Sequence, residues 1–186
     1  KFSLYNNDSG DNNIALGENS LNKNLSGERN IAIGENTLQN NTEGHCNVAL
    51  GVDNLINNTK SKNNISLGFK SMNNNVVGLN NIGQGIQALE DNTKGNNNIA
   101  IGPRSLRYNR GDHNIGIGFM TGSTDVETEE NNIQNSISIG NQSNVDGTYS
   151  IALGYKAKCA GSQSVAIGYK ASAPNDNTVV LGNTSS

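Results

Sequence analysis

The chain has 186 residues and a formal net charge of −3, with 13 Lys and Arg scattered among 16 Asp and Glu. That balance excludes a nucleic-acid partner, because phosphate binding needs a basic stripe, and no apolar run reaches the roughly 18 residues of a membrane span. Leu, Ile, Val and Phe total 41 residues, close to the level at which a chain stays disordered, so only periodicity can decide whether this one folds.

In chain order, the opening Phe2-Ser3-Leu4-Tyr5 reads as a partial strand, and a phrase of the form N-I-A-I-G then recurs to the end. Its closing glycines are Gly17, Gly34, Gly51, Gly68, Gly85, Gly102, Gly118, Gly140, Gly154, Gly168 and Gly182. The intervals are 17 residues five times, then 16, then 22, then 14 three times. Residues 1–118 are therefore expected to form a β-solenoid of 17-residue repeats, 119–135 an insertion loop, and 136–186 a β-solenoid of 14-residue repeats. Helix-pair repeats are excluded, since they need longer periods and tolerate glycine and asparagine poorly.

Within each repeat, aliphatic residues stand three and one before the glycine, as in Ile31 and Ile33 or Ile99 and Ile101, with a small residue such as Ala32 or Ala100 between them. Apolar residues two apart describe one face of a short strand. The reading places the aliphatic pair inside the coil and the small residue outside, where a neighbour could approach. Leu21, Leu38, Leu55, Met72, Leu89 and Leu106, four after the glycine, suggest a second strand per coil. Asparagine supplies 36 residues and occupies fixed phases. Asn24, Asn41, Asn58, Asn75, Asn92 and Asn109 are expected to stack as an amide ladder, and with Asn13, Asn30, Asn47, Asn64, Asn81, Asn98 and Asn114 they are expected to bend the corners in left-handed conformations. About 11 coils rising about 4.8 Å each give a rod on the order of 50 Å long. So thin a core is marginal on its own, which predicts an obligate oligomer.

The run S-I-A-L-G-Y-K-A-K-C-A-G-S-Q-S-V-A-I-G-Y-K-A over 150–171 resembles the 14-residue head repeats of YadA-type trimeric autotransporter adhesins. The longer form N-I-A-I-G-E-N-T-L-Q-N-N-T-E-G over 30–44 is similar to variants in phage and giant-virus fibre proteins. The resemblance implies a left-handed parallel β-roll packed as a homotrimer around a common axis. Asn replaces much of the Ser and Ala of the adhesin pattern, and the period changes partway along.

No arrangement of residues points to catalysis, a metal or a cofactor. His45 and His113 lie in turns before strands without ligand partners at suitable spacing, Cys46 and Cys159 read as unpaired, and Gly83-Gln84-Gly85 matches a dinucleotide fingerprint only because it falls in phase with the repeat. Asp125, Glu127, Glu129 and Glu130 make the insertion the candidate binding loop, and Arg110-Gly111-Asp112 spells an integrin-type tripeptide in a turn. The expected function is non-enzymatic: the shaft or head of an extracellular fibre on a virion or bacterial surface, used in attachment to a receptor. The alternatives are the subunit of a filament stacked end to end through exposed coil edges, and an ice-binding solenoid resting on the poor array Thr42, Thr59 and Thr93.

Overall fold

The structure is a computed structural model that describes residues 1–122 and 132–183, and these residues contain strands and turns but no helix. The strands are β1 (Ile14–Leu16), β2 (Ile31–Ile33), β3 (Val48–Leu50), β4 (Ile65–Leu67), β5 (Ile82–Gln84), β6 (Ile99–Ile101), β7 (Ile115–Ile117), β8 (Ile137–Ile139), β9 (Asn144–Val145), β10 (Ile151–Leu153), β11 (Lys158–Cys159), β12 (Val165–Ile167), β13 (Ser172–Ala173) and β14 (Val179–Leu181). An 11-stranded parallel sheet runs in the order β1-β2-β3-β4-β5-β6-β7-β8-β10-β12-β14, and β13-β11-β9 form a three-stranded sheet beside it. Register is strict: Ile31 pairs with Val48, Val48 with Ile65 and Ile65 with Ile82, so each position stacks on its equivalent one repeat away. The expected parallel β-solenoid is what the chain forms.

The strand faces are reversed from the sequence reading. The small central residues Ala32, Ala49, Ala100, Ala152 and Ala166 are fully buried, whereas the flanking aliphatics Leu50, Ile65, Ile101, Ile139 and Ile167 are 37–46% exposed. The reason is the width of the coil. Leu21, Leu38, Leu55, Met72 and Leu89 fill the interior from the opposite wall, each with no exposed surface, and the space left beside them admits alanine, not a second aliphatic. Where Met72 takes the leucine position the neighbouring strand carries Gly83, whose added Cβ would lie 2.9 Å from Met72 Cγ.

Among the described residues, the expected second strand exists only in the 14-residue coils, as β9, β11 and β13. In the 17-residue coils that segment is a turn, because Leu21, Leu38, Leu55, Met72, Leu89 and Leu106 themselves adopt φ of 48–53°. Their backbones still bond from coil to coil, with Leu21 N–H donating to the Thr37 carbonyl and Leu38 N–H to the Asn54 carbonyl, each at 3.0 Å. The corners also use positive φ two residues after the closing glycine (Asn19, Asn36, Asp53, Lys70) and five before it (Arg29, Cys46, Asn63, Asn80). The fully buried asparagines of both aligned series are absent from that set; their contribution is made by side chains. The closing glycines have φ of 84–139°, and a Cβ on Gly51 would sit 2.4 Å from the Gly68 carbonyl oxygen.

Two amide systems tie the coils together. Asn24 Nδ2 donates to Asn7 Oδ1 at 2.6 Å, Asn41 Nδ2 to Asn24 Oδ1 at 2.8 Å, and Asn58 Nδ2 to Asn41 Oδ1 at 2.7 Å. The ladder then stops: Asn75 Nδ2 turns to Ser61 Oγ at 3.1 Å, leaving Asn58 Oδ1 without a partner. It resumes from Asn92 to Asn75 at 2.9 Å and ends before Asn109, whose Nδ2 donates to the Gly111 carbonyl. The first break follows from Ser61, which occupies the phase of Gly27, Gly44, Gly78 and Gly95; a Cβ on Gly44 would lie 2.2 Å from Asn41 Oδ1. The second coincides with the shortening of the repeat to 16 residues.

In the second system Asn30, Asn47, Asn64, Asn81 and Asn98 each donate a backbone N–H to the Oδ1 of the equivalent residue one coil earlier, at 2.9–3.1 Å. Ser150, Ser164 and Thr178 continue it in the short coils, donating N–H to the preceding seryl Oγ at 3.1–3.2 Å. A third column, Ser20, Thr37, Asn54, Ser71, Ser105 and Thr121, is also buried; Ser20 and Ser105 close it onto the Ala32 and Gly116 carbonyls at 2.9 Å.

Asn41→Leu orphans Asn24 Oδ1 and the Asn58 amide, each costing about 1–3 kcal/mol, so equilibrium denaturant unfolding is expected to show a loss of about 2 kcal/mol or more. Asn63→Gly, which keeps the left-handed corner at φ 58° and removes only an exposed 3.2 Å bond to Asn80, is expected to stay within about 0.5 kcal/mol.

Candidate interaction face

The reversal of the strands gives the solenoid one apolar side. Residues three and one before each glycine form two parallel columns, Ile14 to Val179 and Leu16 to Leu181, which contain no charged residue. Each strand presents them together because alternation puts positions two apart on one side of the backbone. A third column follows the glycines: Val52, Phe69, Ile86, Phe119, Tyr155 and Tyr169 are all exposed. The sequence reading missed this column, although its signal was present as an aromatic or aliphatic residue directly after the glycine in six repeats. Tyr155 and Tyr169 stack with ring centroids 5.5 Å apart and planes inclined by 10°. Lys70, Lys156 and Lys170 extend over Phe69, Tyr155 and Tyr169 at 5.1–5.4 Å, so alkyl stems cover ring faces at the margin of the apolar strip.

The residues singled out by type are dispersed. Gly111 is buried and its carbonyl accepts from Asn98 and Asn109 at 2.8 and 2.9 Å, while Asp112 Oδ1 accepts the Asn96 backbone N–H at 2.6 Å and its Nδ2 at 3.1 Å. Arg110-Gly111-Asp112 is thus a stacked turn whose carboxylate is engaged in coil-to-coil bonding. His45 is half-buried, and its Nδ1 accepts the Glu28 N–H at 3.0 Å. His113 is exposed, with Nε2 3.3 Å from Asn97 Nδ2. Among the described residues no three His, Cys, Asp or Glu side chains come together as a metal site would require. Asp125, Glu127, Glu129 and Glu130 lie outside the described residues. Thr42 Oγ1 donates to the Thr59 carbonyl at 3.1 Å, which commits that hydroxyl to the next coil.

Neither cysteine is in a disulfide: Cys46 is half-buried at a left-handed corner, and Cys159 is buried between β10 and β12 coils. Burial pushes the Cys159 thiol above its ordinary 9.0, outweighing the opposing hydrogen bond from Ser150.

This architecture, with single-residue columns repeated along an uninterrupted parallel sheet, defines a β-solenoid repeat protein. The YadA head domain repeat matches the chain twice, at residues 134–157 and 160–185, so the coils carrying β8 to β14 are similar to YadA head repeats. No curated protein matches the chain.

Because thiolate is the reactive form, alkylation under native conditions is expected to label Cys46 well before Cys159. Raising the pH past 9.0 should accelerate Cys159 and lower stability, since the folded state holds its proton more tightly than the unfolded chain. Equal labelling rates at the two sites, followed by mass spectrometry, would show that Cys159 is not enclosed.

Proposed function

We propose that this chain is a non-enzymatic structural and adhesive segment, shaft or head, of a homotrimeric surface fibre, and that it serves attachment outside the cell or on a virion. The observation that carries this reading is the uncovered apolar face. Two aliphatic side chains per coil stand on it, and burying one fully is worth about 1.5–3 kcal/mol. A solenoid whose interior holds one leucine and one alanine per long coil has a strong incentive to cover that face. Uniform columns without charge suit copies of the same chain meeting in register, because each rung then meets an identical rung.

The head-type repeats support three copies around a common axis, the arrangement implied for YadA-like heads, with a left-handed β-roll in each copy. In that arrangement the aliphatic columns turn toward the axis. The polar corners and the exposed ladder of Asn63, Asn80 and Asn97 remain on the outside, where repeated shallow surfaces are available to a receptor, and the insertion at 119–135 is the candidate contact. The separation into 17-residue coils, an insertion and 14-residue coils then distributes reach and contact along one rod. Hydrogen-bonded stacking from rung to rung suits that mechanical task.

Light scattering on the purified chain is expected to give three times the 19.6 kDa protomer mass at micromolar concentration. Leu50→Glu combined with Ile101→Glu, which places charge on the face without touching the interior, is expected to dissociate it. A monodisperse monomer of the unaltered chain would contradict the reading.

A further inference from the structure

The aliphatic columns are interrupted once. In the column directly before the glycines, Leu16, Ile33, Leu50, Leu67, Ile101, Ile117, Ile139, Leu153, Ile167 and Leu181 are aliphatic, and Gln84 alone is polar. Gln84 ends β5 in register with Leu67 on one side and Ile101 on the other, and it is exposed in the single chain. The Gly83-Gln84-Gly85 phrase is therefore not a phosphate-binding turn: Gly83 accommodates Met72, and Gly85 is an ordinary closing glycine with φ of 138°. That leaves the glutamine itself without a role inside its own coil.

We propose that Gln84 fixes the register, and with it the copy number, of the assembly that covers this face; the inference rests on the self-association proposed above. The rest of the two columns is nearly periodic. Two copies displaced by one coil, about 4.8 Å, would match aliphatic against aliphatic almost as well as aligned copies, losing only the terminal rung. Gln84 removes that degeneracy. Aligned copies bring their Gln84 amides to the same height, where Nε2 of one can donate to Oε1 of the next around the ring. Displaced copies set each amide against Leu67 or Ile101, where donor and acceptor are desolvated without partners. A single polar position in an apolar seam specifies register and oligomer state in coiled coils by the same logic.

The test places a photo-crosslinking residue at Ile86, as Ile86→p-benzoylphenylalanine, and maps by mass spectrometry which coil of the neighbouring copy it enters, alongside light scattering on the same sample. With Gln84 present, cross-links are expected only into the coil that carries β5. In Gln84→Leu, whose new side chain already occupies this column in five other coils, links to coils one rung away are expected to rise about tenfold or more. Gln84→Leu with Ile101→Gln moves the polar rung by one coil in every copy and is expected to restore a single register. If Gln84→Leu keeps one register and one mass, the inference is overturned while self-association stands. A monomeric parent chain would overturn both.

Discussion

The structure depends on satisfying buried polar groups from one coil to the next. A coil of 14 or 17 residues cannot enclose enough aliphatic volume to exclude water by bulk alone, and it turns so tightly that many amides and carbonyls face inward. Asparagine meets both demands at once: Asn41 offers Nδ2 to Asn24 and Oδ1 to Asn58, and Asn47 offers Oδ1 to the Asn64 backbone. Because these donors point to the equivalent group one rung away, the bonds can form only when coils are stacked in register. Glycine at the phase of Gly27 and Gly44 is the partner constraint, since any Cβ there invades the ladder. Ser61 shows the consequence within the same chain: the ladder divides, and Asn58 Oδ1 is left over.

The narrow interior has a second consequence. With the inside filled by a leucine and an alanine, the branched residues that favour extended backbone have no place except the outer side of the strand. The same feature that makes the coil foldable thus generates a long uncharged apolar strip. Structural economy within a chain and the drive to associate between chains are two results of one geometry. The transition from asparagine to serine before the strands, at Asn114 to Ser136, preserves the rung-to-rung bond with a shorter side chain as the repeat contracts to 14 residues.

Much of this was legible in the sequence, for identifiable reasons. The closing glycines and the Ile-Ala-Ile alternation revealed the solenoid because their spacing is a direct image of the coil. Alternation defines two faces but does not say which faces inward. That depends on how far apart the two walls stand, which Leu38 opposite Ala32 decides only once the backbone is closed. The left-handed leucines were invisible for a related reason: φ of 48–53° is unfavourable for a leucine by propensity, and only the packing of the side chain into the interior selects it. The asparagine ladder was visible as a phase, but its interruption at Ser61 required seeing that the glycine phase and the ladder touch. The column beginning at Val52 was overlooked because its members vary between aliphatic, aromatic and polar types.

The rung-to-rung amide bonding is tested most directly by hydrogen exchange of asparagine side-chain amides, resolved by NMR in the folded protein. The Nδ2 hydrogens of Asn24, Asn41, Asn47 and Asn64 should exchange orders of magnitude more slowly than those of Asn63, Asn80 and Asn97 on the exposed ladder. Free exchange at Asn41 and Asn47, at the rate of an exposed asparagine, would contradict a solenoid held together through its buried amides.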